Sequence, residues 1–353
     1  MPEWTRRWGW ELFLGAILIG VLIVNISLSP FYLNVQNVLN TFQLSIEKVI
    51  VAVVMTFVIV NGEIDLSVAS VMAFSASVLA ALHVAGVPFG LALTAALLAG
   101  AAAGLFQGFL VAKVGLPSLT VTLAGLIGFR GAARILVEDQ SIGDFPEWFD
   151  SLGQDPLLGR LSLGVLLFLA GIAVAAVILH RTPFGRSLYV IGDNAEVARF
   201  SGINVARTKL IVMTASGFVA GLAGVMFAAR LGSVRGDLGQ GFELDIITMV
   251  LLGGVSIFGG SGTLVGVGLS ILIVLNLRNG LGLAHFAITT QTGVIGALLI
   301  LSVLVPNLAS RVARRRRGSG PGPPPGGGSD QGGELWGSED VSQRVTIERG
   351  GGE

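Results

Sequence analysis

Asn61-Gly62-Glu63-Ile64-Asp65-Leu66-Ser67 is a short acidic break between two long apolar stretches, Val51 to Val60 before it and Val68 to Leu82 after it. Both flanks are apolar enough to lie in a bilayer, where a carboxylate needs a solvated, paired or functional place. The break is therefore either a turn at the membrane surface or a broken-helix element lining a transport path. The rest of the chain has to decide between them.

Composition places the chain in a membrane. Hydrophobic residues make up 52% and charged residues 12%, with a mean hydropathy of +0.80, whereas a soluble domain carries about 25% charged residues. The formal net charge is zero, and the positions of the charges matter more than their sum. With no cysteine, neither a disulfide framework nor a thiolate metal site can form. His83, His180 and His285 are too far apart for metal-ligand spacing, so neither a metal nor a cofactor is expected. Arg6 and Arg7 precede the apolar run Leu12 to Val24. That is the pattern of a signal peptide, but no small-x-small cleavage site follows, which favours an uncleaved first span.

A spanning helix needs about 20 mostly apolar residues. Ten segments qualify, at about 11–28, 44–60, 67–84, 88–111, 118–136, 161–179, 209–229, 244–259, 263–279 and 286–305. The expectation is an all-α polytopic membrane protein of about ten transmembrane helices, interrupted near 61–67 and 253–263. Lys and Arg concentrate in cytoplasmic loops. Arg6 and Arg7, Lys113, the group Arg181, Arg186, Arg199, Arg207 and Lys209, and the cluster Arg311 with Arg314 to Arg317 all fall on one side of a ten-span chain with both termini cytoplasmic. The acidic loop at 137–160 falls outside. Arg230, Arg235 and Arg278 are exceptions, lying at outer ends, and eight spans result if two segments are re-entrant. The organisation expected is a cytoplasmic N-terminus over 1–10, a transmembrane domain over 11–309, and a basic, then Gly/Pro-rich, disordered cytoplasmic tail over 310–353. The arginine cluster reads as a topology anchor that meets anionic membrane lipid, not as a nucleic-acid site.

Small residues recur at helical spacing. Gly100, Gly104 and Gly108 are each four apart, and Gly217 and Gly221 repeat the pattern, which lets helix backbones approach closely. A denser group, Gly253-Gly254-Val255-Ser256-Ile257-Phe258-Gly259-Gly260-Ser261-Gly262-Thr263, predicts an interrupted helix, because each glycine costs a helix about 1 kcal/mol. Irregular backbone at membrane depth is tolerated where protein or a water-filled cavity covers it. This second break roughly mirrors the first, and breaks at corresponding places in two halves point to a transport site.

The longest loop on the cytoplasmic side runs from about His180 to Lys209. In it, Asp193 or Asn194 can cap a short helix starting at Ala195, and Gly202 sits where a C-terminal glycine stops it. Such a surface helix either docks into a partner's groove or is a solvated connector. The chain has no Gly-x-x-x-x-Gly-Lys-Ser/Thr phosphate loop and no His-Glu-x-x-His, so no catalytic residues are expected. Glu47 and Lys48 read as shallow, near the outer end of the second span. Arg130 and Arg134, one turn apart, are expected to snorkel to the outer surface. The spans show no chain of buried carboxylates of the kind a proton-driven pump uses.

Three stretches together resemble the permease subunits of bacterial ABC importers for monosaccharides, the ribose-type group: Gly62 to Ala69; Thr182-Pro183-Phe184-Gly185-Arg186 with Gly192-Asp193-Asn194 and Ser201-Gly202-Ile203; and Gly253 to Thr263. Glu63 in place of a second glycine, with Glu47-Lys48 ahead of it, looks more like the rhamnose-type permeases. The resemblance implies a bacterial inner-membrane pore built from two permease chains, this one with a copy of itself or with a sister permease. Two cytoplasmic ATP-binding subunits would drive it and a periplasmic sugar-binding protein would supply it. It makes Asn194–Ile203 a coupling helix, with Gly185, Asn194, Glu196, Ala198, Ser201 and Gly202 as coupling residues. It assigns Gly62, Glu63, Asp65, Ser67, Gly253, Gly254, Ser256, Gly259 and Gly260 to the pathway or the helix breaks. Asp65 is expected to cap a helix beginning at Leu66, and the acidic stretch 137–155 to meet the binding protein. Permeases for ribose, for an autoinducer-type sugar or for branched-chain amino acids are the neighbouring readings. A self-contained secondary transporter and a membrane enzyme are the readings of other classes.

Overall fold

The computed structural model describes residues 9–298 apart from Arg160, together with residues 300, 301 and 304. These described residues belong to one compact unit. The predicted N-terminal arginines and the basic, Gly/Pro-rich tail lie outside the described residues.

The chain is an all-α polytopic membrane protein. Its helices are α1 (Gly9–Leu28), α2 (Val35–Gln43), α3 (Ile46–Val60), α4 (Val68–Val84), α5 (Phe89–Phe109, running into a π turn at Leu110–Val114), α6 (Ser118–Leu136), α7 (Glu147–Gln154), α8 (Leu163–Arg181), α9 (Pro183–Asp193), α10 (Ala195–Phe200), α11 (Val205–Leu231), α12 (Phe242–Leu252) and α13 (Leu264–Leu283). A last helix, α14, covers 288–298. A short two-stranded hairpin, Pro156–Leu158 with Leu161–Ser162, sits between α7 and α8. Among the described residues, six helices are long and apolar enough to cross a membrane, and α2 with α3, bent by 56°, makes a seventh span if taken as one. Each of the ten predicted segments is helical over most of its length. The segment at 244–259 is the one cut short: α12 stops at Leu252, because the glycines that follow turn the chain.

The two predicted breaks are built by the same local device. At the end of α3, Gly62 has φ +81°, its N–H bonds the Ile59 carbonyl at 2.9 Å, and the Glu63 N–H reaches back to the Val58 carbonyl at 3.1 Å. At the end of α12, Gly254 has φ +84°, and the Val255 N–H reaches back to the Val250 carbonyl. This is the Schellman arrangement, in which a left-handed residue satisfies the last carbonyls of a helix, and glycine adopts it without a Cβ penalty.

The centre is the crossing of α5 and α11. A Cβ on Gly104 would lie 2.3 Å from the Met213 carbonyl, and one on Gly217 would lie 2.4 Å from the Gly100 carbonyl. The stripe predicted from spacing is thus a backbone-to-backbone contact. α4 lies against the same pair, with Met72 backbone 2.1 Å from where a Cβ on Gly224 would fall. α1 and the segment after it are pinned to α13 by amides: Asn25 donates to the Asn276 carbonyl at 2.8 Å, and Asn37 donates to Asn279 at 2.9 Å.

Candidate functional site: two polar joints at opposite ends of α3

The acidic break joins elements from all parts of the chain. The Gly260 N–H donates to the Val60 carbonyl at 2.9 Å, which stitches the two breaks together. Gly192, near the end of α9, fills the gap between them. A Cβ there would sit 2.0 Å from the Val60 oxygen and 2.4 Å from the Gly260 nitrogen, and one on Gly259 would sit 2.7 Å from the Gly62 Cα. Tyr189 on α9 donates to the Gly262 carbonyl at 2.9 Å. Burial pushes that hydroxyl's pKa up, keeping it a neutral donor. Among the predicted break residues, Gly62, Gly259 and Gly260 therefore meet at one point. Ser256 and Gly253 belong to the same loop, where the Ser256 N–H bonds the Ser261 carbonyl at 3.0 Å and Gly253 packs against the start of α13.

The acidic side chains of the break are both engaged. Glu63 forms an ion pair with Lys209 at the start of α11. Asp65 is buried and accepts three hydrogen bonds: from the Ser67 N–H at 2.9 Å, the Ser67 hydroxyl at 2.6 Å and the Ser216 hydroxyl of α11 at 2.8 Å. Ser67 in turn accepts from Gln107 of α5 at 2.9 Å. Ile64 is held at both backbone atoms by α6: its N–H donates to Ser118 at 3.3 Å, and its carbonyl accepts from Thr122 at 3.1 Å. This corrects the expectation that Asp65 caps a helix at Leu66. α4 begins at Val68, its N-cap Ser67 makes no side-chain cap bond, and Asp65 instead ties the break to α11, 151 residues away.

α10 follows directly from this joint. Asn194 caps it, accepting from the Glu196 and Val197 N–H groups at 2.9 and 3.1 Å. It ends at Gly202, with φ +80°. Ala198 is buried against Ile191 and Val205, whereas Glu196 is exposed and Ser201 bonds its own helix at the Val197 carbonyl. Gly185 lies at the turn from α8 to α9, where a Cβ would clash with the Leu179 carbonyl at 2.3 Å. The feature missed in the sequence is Phe200, 92% exposed, beside exposed Val197. A lone aromatic in a charged loop carries no periodic signal.

The second joint is at the other end of α3, about 22 Å away for 15 residues at ~1.5 Å per residue. Glu47 accepts from Arg230 at 2.8 and 3.3 Å. Asp245 accepts from Lys48 at 3.1 Å and Arg278 at 2.6 Å. Lys48 lies 4.4 Å over the Phe242 ring and Arg230 lies 4.8 Å over Phe227, and these two rings stack. Glu47 and Lys48 are therefore buried partners and not shallow surface charges, and the bundle does contain buried carboxylates. The same pairing accounts for Arg230 and Arg278, which broke the positive-charge pattern. Arg130 also turns inward, donating to the Gly236 and Leu238 carbonyls at 3.2 and 2.7 Å, because the 236–238 loop offers it acceptors that the sequence could not place. In the acidic loop, Asp144 and Glu147 are exposed, but Asp150 has a buried oxygen without a partner, and burial raises its pKa.

A family model described as "Branched-chain amino acid transport system / permease component" matches residues 37–303. The chain is 35% identical to the autoinducer 2 import system permease protein LsrD of Photorhabdus luminescens over 306 residues, covering 85% of this chain and 91% of that protein. It is likewise 35% identical to the LsrD protein of Yersinia enterocolitica, covering 85% and 92%. No solved structure matches the chain. The matched family spans both joints and α10, and the chain belongs to it: it is a multi-pass permease subunit of a bacterial ABC importer.

Proposed function

We propose that this chain is one half of the membrane pore of an ATP-driven importer for a small polyhydroxylated solute, and that α10 is the element through which a separate ATP-binding subunit moves it. The observation that carries the reading is the contact of Gly62, Gly192, Gly259 and Gly260 immediately ahead of Asn194. Any shift of α10 reaches both broken helices at once through this glycine contact. From the acidic break it passes to α5, α6 and α11 through Gln107, Ser118, Thr122, Ser216 and Lys209. Because Gly62, Gly192, Gly259 and Gly260 meet backbone to backbone, the joint transmits displacement with little give. Phe200 and Val197 supply the apolar face that docks.

In this reading the α10 end is cytoplasmic, both termini lie on that side, and the Glu47–Arg230 end faces the periplasm, where a binding protein delivers the solute. Asp144 and Glu147 are its acidic contacts. The pore's second half is a sister permease or a second copy. The relatives are named for autoinducer 2 import, which favours a compact, hydroxyl-rich sugar-like substrate. Rhamnose remains a member of that class, resting on the resemblance of Glu63 and Glu47-Lys48 alone. In this fold those side chains are occupied in ion pairs, so they support the frame and not the choice of sugar.

The test is uptake in proteoliposomes holding this chain with its ATP-binding subunit and binding protein. Uptake that needs ATP, and that Phe200→Ala abolishes while the permease remains folded, supports the proposal. Uptake by this chain alone on an ion gradient would overturn it.

A further inference from the structure

The helix α8 packs on α3, and the space between these two helices and α11 is graded in polarity. At the Arg230 end, a cavity of about 700 Å³ is lined by Asn40, Gln43, Glu47, Trp148, Gln154 and Arg230, above leucines of α5, α8 and α11. It shares the walls Leu167 and Leu222 with a second cavity of about 450 Å³ between α3, α8 and α11, whose lining side chains are all apolar, from Ile50 to Phe57 on one side and Leu167 to Ile178 on the other.

We propose that this crevice binds one membrane phospholipid, with its phosphodiester at Arg230 and one acyl chain in the groove behind α8. Three observations select that occupant. Arg230 spends Nε and one terminal nitrogen on Glu47. Its other terminal nitrogen has no partner among the described residues, so the mouth offers a cationic donor of the kind that matches a phosphate oxygen. Gln43 and Gln154 add amide donors beside it, and Trp148 is an amphipathic ring at that level, as suits the headgroup boundary. The apolar part runs along α8 from Leu167 to Ile178, a rise of about 16 Å at ~1.5 Å per residue, which is one leaflet of a hydrocarbon core about 30 Å thick. A sugar finds no hydrogen-bond partner there and leaves its hydroxyls unpaired.

Gly171 supplies the test. It lines the groove, and a Cβ there meets nothing within 4 Å, so Gly171→Phe fills the groove without displacing backbone. Ala215→Leu fills it from α11 as an independent variant, and Leu91→Phe, on an exposed face of α5, is the control. The transporter complex is purified in detergent with added phosphatidylethanolamine and phosphatidylglycerol, and lipids retained per permease are counted by native mass spectrometry. The wild type and Leu91→Phe should each hold one phospholipid through delipidation. Gly171→Phe and Ala215→Leu should lower its occupancy about tenfold, a change of ~1.4 kcal/mol, with Arg230→Lys shifting the balance between the two headgroups. Equal retention by wild type and both groove-filling variants, retention of detergent in place of lipid, or a substrate sugar in the groove would each overturn the proposal.

Discussion

Replacing Asp65 by alanine separates an anchoring role from a capping one. The Asp65 carboxylate accepts from the Ser67 N–H, the Ser67 hydroxyl and the Ser216 hydroxyl, and it is 2% exposed. Asp65→Ala leaves the Ser216 hydroxyl and the Ser67 N–H buried without acceptors, each at a cost of about 1–3 kcal/mol. The Ser67 hydroxyl keeps Gln107. The expected loss is thus about 2–6 kcal/mol, against ~1 kcal/mol for a lost helix cap. Ser216→Ala removes one donor. The double variant should cost less than the sum of the two single variants by about 1–2 kcal/mol, because the hydroxyl stranded by the first change is gone in the second. The assay is unfolding of the purified permease in mixed micelles by added SDS, followed by tryptophan fluorescence, for the four proteins of the cycle. Additive losses, or a loss near ~1 kcal/mol for Asp65→Ala with none for Ser216→Ala, would refute the tie between the break and α11.

Four further outcomes follow from the same geometry. Gly192→Ala drives a methyl to 2.0 Å from the Val60 oxygen and should separate the two breaks, so the reconstituted complex retains ATPase activity but loses uptake; normal uptake would contradict the joint. Arg230→Ala leaves Glu47, 1% exposed, buried without its cation and should cost about 3–5 kcal/mol, whereas the double change Arg230→Ala with Glu47→Leu should recover most of it; the same SDS unfolding reads both. Neutralising Asp144, Glu147 and Asp150 together should raise the apparent Km for the binding protein in uptake, and unchanged uptake kinetics would remove the acidic loop from the docking surface. Asp150→Asn alone should act on stability. Its carboxyl pKa is raised by burial, so the folded state holds the proton more tightly and wild-type stability falls as pH rises through that range, a dependence the variant should lack.

Local signals in the sequence carried much of this architecture. Gly62, Gly202 and Gly254 each end a helix in the left-handed conformation, and Asn194 caps α10; these are choices made by neighbours within a few residues, and spacing reveals them. The α5–α11 stripe was legible for the same reason. The partners of the charges were not. Glu47 meets Arg230 across 183 residues and Lys48 meets Asp245 across 197, and hydropathy reports only that such charges are unusual. The convergence of Gly192 with both breaks was hidden too, since a glycine chosen for close approach looks in sequence like any other glycine. Asp65 was misread because an acidic residue ahead of a helix fits a cap locally, and only the approach of Ser216 reveals its other use.

Docking of α10 against a separate ATP-binding chain is tested most directly by mild-detergent purification of this permease from its native membrane, with mass spectrometry of the proteins that accompany it. An ATP-binding subunit should co-purify with the wild type and be lost from Phe200→Ala. A chain that purifies alone and still supports uptake in liposomes would contradict that docking.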